Sequence, residues 1–241
     1  MVDATFPGSG WEGFMATRFV PLSDSECLIH LLPDPQVLPR CPGCQRRCPL
    51  IHDTTRRRVR DRDLFEYRVW LEVPVRRVRC PRCGVGREAL SWLALRARLT
   101  HRRRQHVEIL LTLLPLKQIA GLTGLHWHTL KSLDKARLAR DLPEPDLSLV
   151  RYLVMDEFAL FKGHRYASVV IDAETRQVLW VGEGRSRESI RPCFQWLGAH
   201  CEHIEAVAMD MNTAMDLEVR AWCPKARVVY DLFHVIAKFG R

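Results

Sequence analysis

The sequence has no apolar run near the ~18 residues that a membrane-crossing helix needs. Its first residues, Met-Val-Asp-Ala-Thr-Phe-Pro, lack both the basic and the apolar stretch of a secretory leader. No membrane partner is expected, and a cytosolic, nucleoid-associated chain is the natural expectation. There, nine cysteines point to thiols or metal ligands rather than to disulfides. Lysine is also missing where positive charge is densest. Residues 40–104 carry nineteen Arg, no Lys and six acids, whereas residues 1–39 carry one Arg against five acids and residues 105–241 balance. The whole net charge of +9 therefore sits in one block, and it is carried by the side chain that forks best onto phosphate. Nucleic acid is the expected partner. With 47% apolar residues over 241 positions, the chain can build one large core or two or three small ones.

Inside the arginine block, Cys41-Pro-Gly-Cys44 is followed by Cys80-Pro-Arg-Cys83-Gly. Each Cys-x-x-Cys turns two sulfurs toward one point, and two such turns make a closed tetrahedral zinc site of structural type. Cys48 and His52 offer a compact rival set with Cys41 and Cys44. Between the pairs, Phe65, Tyr67, Val69, Leu71, Val73 and Val75 alternate with polar residues and predict a strand. Thr54 to Val59 is its expected antiparallel partner, with Asp61-Arg62-Asp63 as the turn. A zinc-ribbon-like β module over 40–95 follows. Arg56, Arg57, Arg58, Arg76 and Arg77 line it and are expected to contact phosphate, which gives affinity and salt dependence more than sequence choice. Residues 1–39 read as a loose arm with one strand around Cys27–Leu32. Cys27 and His30 there are read as packing.

Residues 102–140 read as helical, within a helix-turn-helix domain over 100–141. Val107, Leu110, Leu111 and Leu114 form an apolar face that stops at Pro115. Ala120, Gly124, Leu125, Leu130 and Leu133 then follow the spacing of a helix-turn-helix, with Gly124 in the turn. Its second helix would present His126, Trp127, His128, Thr129 and Lys131 to a major groove. The plainer alternative is an αα-hairpin in a bundle. His126 and His128 stand two apart, the wrong spacing for a shared metal face.

Leu142-Pro-Glu-Pro-Asp146 is a stiff connector, and 142–150 is read as a linker. Beyond it the pattern alternates strands and helices. Tyr152–Met155 is expected to end at Asp156, 166–172 and 177–182 pair as a hairpin, and 186–200 is helical with Ser186 or Ser189 as cap. Glu205–Met209 ends at Asp210, 213–222 is helical, Arg227–Tyr230 ends at Asp231, and a further helix begins at Leu232. Two carboxylates at one edge of a parallel sheet sit where α/β proteins bind ligands, and a divalent metal would hold them together. Asp156 and Asp210 also fit a plainer role as helix caps. Asp216 and Glu218 read as a solvated helix face.

That element order is the order of the RNase H-like fold. Four features carry a further likeness: the Cys41/Cys44 pair with Arg-Arg-Val-Arg-Cys80-Pro-Arg-Cys83, the helix-turn-helix, Val-Met-Asp156-Glu-Phe, and Val-Ala-Met-Asp210-Met followed by Tyr230-Asp231-Leu-Phe-His234. With these, the chain resembles bacterial DDE transposases of the insertion-sequence group called ISL-three. The resemblance implies a multidomain protein: zinc-ribbon-like module, helix-turn-helix, and an incomplete α/β RNase H-like domain over 151–241. It implies that Asp156 and Asp210 are the first two acids of a catalytic triad holding Mg²⁺ for phosphoryl transfer. Asp231 and His234 match a family motif of unassigned role. The third acid, a later Glu in the family, is absent from this chain, so a C-terminally truncated copy with little activity alone is expected. The implied partner is double-stranded DNA at transposon ends, with homo-oligomerisation left open. The alternative reading is a zinc-containing helix-turn-helix regulator with a non-catalytic α/β domain.

Overall fold

A computed structural model describes residues 10–161, 165–232 and 236, and the chain divides into two units, 1–142 and 143–241. The first unit is built on one mixed sheet. Strands β1 (Phe14–Ser23), β2 (Glu26–Pro33), β3 (Ile51–Arg60), β4 (Arg68–Cys80) and β5 (Gly84–Arg87) assemble in the order β1-β2-β4-β3, with β5 on the far part of β4. The alternation read over residues 65–76 is real, but the strand starts later: Phe65 has a positive φ of 51° and is exposed, so it belongs to the turn. β3 pairs antiparallel with β4, and the register sets Thr54 opposite Arg76 and Val59 opposite Leu71.

Residues 1–39 depart from the expected arm with one strand. β1 and β2 form an antiparallel pair, and β2 runs parallel to β4, with Cys27 opposite Val69. The reason is burial. Phe14, Ile29 and Leu31 complete one core with Val59, Leu71, Val73, Val75 and Trp92, which a ribbon alone could not close. Strand β4 serves two cores. Val69 to Val75 face that main core through odd positions, and then Val78 and Cys80 turn even positions into a second cluster with Cys41 and Cys48.

Three helices complete the unit: α1 (His101–Leu113), α2 (Leu116–Thr123) and α3 (Trp127–Asp141). Thr100 caps α1 by accepting from the Arg103 N–H, and α2 stops at Gly124, which takes a left-handed φ of 66°. Val107, Ile119 and Leu130, one from each helix, are fully buried together, with Leu110, Leu111, Leu114 and Ala120 packed around them. The sheet and the helices are joined by buried charge. Asp61 is fully buried and accepts from Trp11 Nε1 at 2.7 Å, Thr100 Oγ1 at 2.6 Å and Arg102 Nε at 2.7 Å. Arg103, also fully buried, donates to Asp63 and to the Thr123 carbonyl at the end of α2.

The second unit is a five-stranded sheet with β6 (Tyr152–Ala159), β7 (Tyr166–Asp172), β8 (Val178–Glu183), β9 (Ala206–Met209) and β10 (Arg227–Tyr230) in the order β10-β9-β6-β7-β8. Strands β6, β7 and β8 are antiparallel, while β9 and β10 run parallel to β6. Helices α4 (Arg187–Leu197) and α5 (Thr213–Trp222) bury Ile190, Phe194, Leu197, Met215 and Val219 against Leu153, Met155, Val207 and Met209. Ser186 is the cap of α4, accepting from the Ser189 N–H.

Candidate functional site

Four thiols meet where the first unit's sheet ends. Sγ atoms of Cys41, Cys44, Cys80 and Cys83 all lie within 4.8 Å of one another, and Cys44 and Cys80 are 3.6 Å apart. A tetrahedral zinc thiolate with ~2.3 Å bonds has sulfurs about 3.8 Å apart, so the set fits such an ion. The local sequence explains the closeness. A Cβ on Gly43 would stand 3.2 Å from the Cys83 sulfur, and Gly84 takes a φ of +79° to turn β4 into β5. Backbone N–H groups of Arg82 and Cys83 point at Cys80 and lower its thiol to about 6. Cys83, donating to Cys44 beside other sulfurs, is pushed up to about 12. Thiols held this way need a cation before all four can ionise. Of the rival ligands, Cys48 is buried beside the four thiols with its own thiol on the Arg46 carbonyl, and His52 pairs with Asp53 on β3.

The carboxylates are set by strand register. On parallel β6 and β9, Leu153 lies opposite Val207 and Met155 opposite Met209, so Asp156 and Asp210 each follow the last paired residue, Asp210 one position past the end of β9. Neighbouring strands are about 4.8 Å apart, so the two chains reach Met155 and Met209 as direct neighbours. Asp231 follows β10 in the same way: its N–H donates to the Met209 carbonyl at 3.0 Å, continuing the β9–β10 ladder. His234 lies outside the described residues.

Two expectations change here. Strand β6 does not end at Asp156. It runs on to Ala159, because β7 pairs with it along its full length and holds Asp156 opposite Val169. The helix-cap reading fails for both aspartates: strand, not helix, follows Asp156, and α5 is capped by Asn212, whose Oδ1 accepts from the Ala214 and Met215 N–H groups. The Asn212 amide also donates to Glu157, the residue after Asp156, tying β6 to the turn between β9 and α5. That link, which the sequence did not announce, has one visible signal, an Asn two positions past the second acid. Asp156 is exposed and accepts from the Glu157 N–H at 2.7 Å.

Glu218 corrects the expectation of a solvated face. It is buried and held by Arg187 and Arg191 of α4 at 2.8 and 3.0 Å, so it stitches α4 to α5. Asp216 pairs with Arg220 and accepts from the Tyr230 hydroxyl.

The five selected arginines separate. Arg76 is buried and forks onto Glu88 with contacts of 2.6 to 3.1 Å, which removes it from any external partner. Arg57 is half-buried on the Ala97 carbonyl, Arg77 pairs with Asp53, and Arg56 with Glu72. Arg58 is exposed and has no side-chain partner among the described residues. At the start of α3, its cap His126 and Trp127, His128, Thr129 and Lys131 are all exposed. Trp127 and His128 stack at 3.8 Å, and the Lys131 ammonium lies over the indole.

A four-thiol cluster of zinc type and an arginine-rich sheet in the first unit accompany a mixed five-stranded sheet in the second. Residues 153–241 match a family model described as a transposase of the ISL3 type, and residues 38–83 match one described as the zinc-finger of transposase IS204/IS1001/IS1096/IS1165. The chain belongs to the ISL3 family of insertion-sequence transposases. It is 50% identical over 237 residues to the transposase for insertion sequence element IS1001 of Bordetella parapertussis, covering 96% of this chain and 58% of that relative. It is 27% identical over 217 residues to the transposase for element IS1557 of Mycobacterium tuberculosis, covering 87% of this chain and 48% of the relative. The chain thus spans about half the length of the curated relatives it matches.

Proposed function

We propose that this chain binds the ends of an insertion sequence through its first unit and contributes Asp156 and Asp210 to strand cutting and joining in the second. The observation that carries the reading is the parallel pairing of β6 and β9 up to Met155 opposite Met209, the residues directly before these two aspartates. Sheet order β8-β7-β6-β9-β10, with three antiparallel strands and two parallel ones, supports an RNase H-like assignment for 151–241. Two carboxylates placed there suit a divalent cation such as Mg²⁺, which when bound would lower the charge on a phosphodiester and its attacking oxygen. The chain's own part is to hold Asp156 and Asp210 at fixed separation, through the ladder and the Glu157–Asn212 link. In the first unit, Cys41, Cys44, Cys80 and Cys83 would hold zinc and keep the sheet end folded. Helices α2 and α3, joined by the Gly124 turn, would act as a helix-turn-helix with the exposed start of α3 in a major groove.

The metal reading is tested with Fe²⁺ in place of Mg²⁺, using ascorbate and peroxide to cut the polypeptide next to the bound ion. Cuts are expected close to residues 156 and 210, suppressed by excess Mg²⁺ and lost in Asp210→Asn. Cutting that is unchanged in Asp210→Asn would remove the paired-carboxylate account.

A further inference from the structure

The arginines of the first unit fall into two populations. Arg60, Arg76, Arg102 and Arg103 are each fixed to a carboxylate inside the fold. A second group gathers on one face of β3, β4 and β5. The ladder sets Arg57 opposite Val73, Asp53 opposite Arg77, Arg77 opposite Arg87, and Arg79 opposite Val85. Because side chains alternate, Arg57, Arg77, Arg79 and Arg87 share that face, and Asp53 is the one carboxylate the three strands add to it. Arg79 and Arg87 have no side-chain hydrogen-bond or ion-pair partner among the described residues, and Arg79 is exposed. Arg87 is also close enough to Arg57 to make its protonated form less favourable, adding to the effect of burial.

Like charges directly across a β ladder are destabilising, and here four guanidinium groups meet one carboxylate. Such an arrangement is relieved by an external anion. Arg77 and Arg79 lie two residues apart on one strand, ~6.8 Å along it, so the charges form a row instead of a pocket. A row suits successive phosphates of a polymer better than one small anion, and guanidinium forks match phosphate oxygens.

We infer that Arg57, Arg77, Arg79 and Arg87 form the surface on which the first unit grips the sugar-phosphate backbone of duplex DNA, next to the four-thiol cluster. The inference rests on the DNA-binding reading above and names the residues that act in it. It moves the contact away from Arg76, and from the Arg56–Arg58 run as a whole, keeps Arg79 of the Arg76–Arg79 run, and adds Arg87.

The test uses the whole chain and a duplex carrying the element's terminal sequence, with affinity measured by fluorescence anisotropy across a salt series. Each lost phosphate contact lowers the slope of log affinity against log salt by about 0.9, so Arg79→Ala with Arg87→Ala should lower it by about 1.8. Between roughly 50 and 200 mM salt, that difference in slope makes the total loss of affinity about 12-fold smaller than in wild type. The paired lysine variant should keep the wild-type slope, because the charge remains. Arg18→Ala with Arg96→Ala removes the same charge elsewhere on the unit and should leave the slope nearly unchanged. Arg79→Ala alone, at an exposed site, should lower it by about 0.9 and carries the test if the double variant loses its fold. If wild type binds and the Arg79/Arg87 variants match the Arg18/Arg96 control, the assignment is wrong while the DNA-binding reading stands. If wild type shows no salt-dependent binding, both fall.

Discussion

At the scale of single residues, the structure separates charges that fold the chain from charges left for a partner. Asp61 is the clearest of the first kind. Burial alone would push its carboxyl up, but the Arg102 guanidinium and the Thr100 hydroxyl outweigh that and hold it below the ordinary carboxylate range. Glu218 is likewise lowered, chiefly by Arg191, against the effect of burial. A carboxylate with a depressed folded-state value adds stability that is fully present above its unfolded value near 4. That stability is lost as pH falls through the lower folded-state value. Acid titration followed by circular dichroism should therefore show flat stability above about pH 5 and a decline below about pH 4. Asp61→Asn should shrink that decline and cost about 2–3 kcal/mol at neutral pH, since hydrogen bonds to a charged group are lost in the interior. A variant as stable as wild type in denaturant would contradict this. Cys80→Ser should abolish tight zinc retention, read as metal content after dialysis, whereas Cys48→Ser should keep the metal.

At the scale of elements, two short segments decide the geometry of the candidate sites. Gly124 ends α2 in a left-handed conformation, and a Cβ there would meet the Arg68 guanidinium at 3.0 Å. Gly124→Ala should cost about 1–2 kcal/mol from the backbone alone. It should weaken DNA binding only as far as α3 shifts, a split that denaturant midpoints and binding curves together resolve. Asn212 caps α5 and holds Glu157, so Asn212→Ala should lose about 1 kcal/mol of cap and loosen the Asp156–Asp210 pair. Asn212→Asp keeps the cap acceptor but brings two carboxylates together. It should be the more stable variant only at low pH, where Glu157 is protonated, and denaturation at two pH values checks the sign. Helix propensity and strand periodicity read these elements well. Thr213–Trp222 and Arg227–Tyr230 have the bounds the sequence gives them, since each is a regular segment flanked by polar turns. Strand β1 was missed because it is mostly exposed and alternates weakly, so its residues carry little periodic signal.

At the scale of the whole molecule, two units with separate cores hold separate kinds of site. The thiol cluster, with Val78 between its turns, belongs to the first unit, and Asp156 and Asp210 to the second. A chelator strong enough to strip zinc should therefore broaden amide resonances of residues 38–90 and leave those of β6, β9 and α5 in place. Broadening of both sets together would show that the units do not fold independently.

Sequence alone determined the cysteine spacing, the three-helix stretch, the alternating order of the second unit and the two acids to watch. Each of these is a local pattern, repeating at the period of its own element or fixed by a turn of three or four residues. The tertiary structure decided what local patterns cannot encode. It put Glu88 against Arg76, Asp61 among Trp11, Thr100 and Arg102, and Arg77 opposite Arg87. It also made Asn212, not Asp210, the helix cap. These depend on register and on partners far along the chain, because an ionised side chain folds inward only when a counter-charge and hydrogen bonds are brought to meet it.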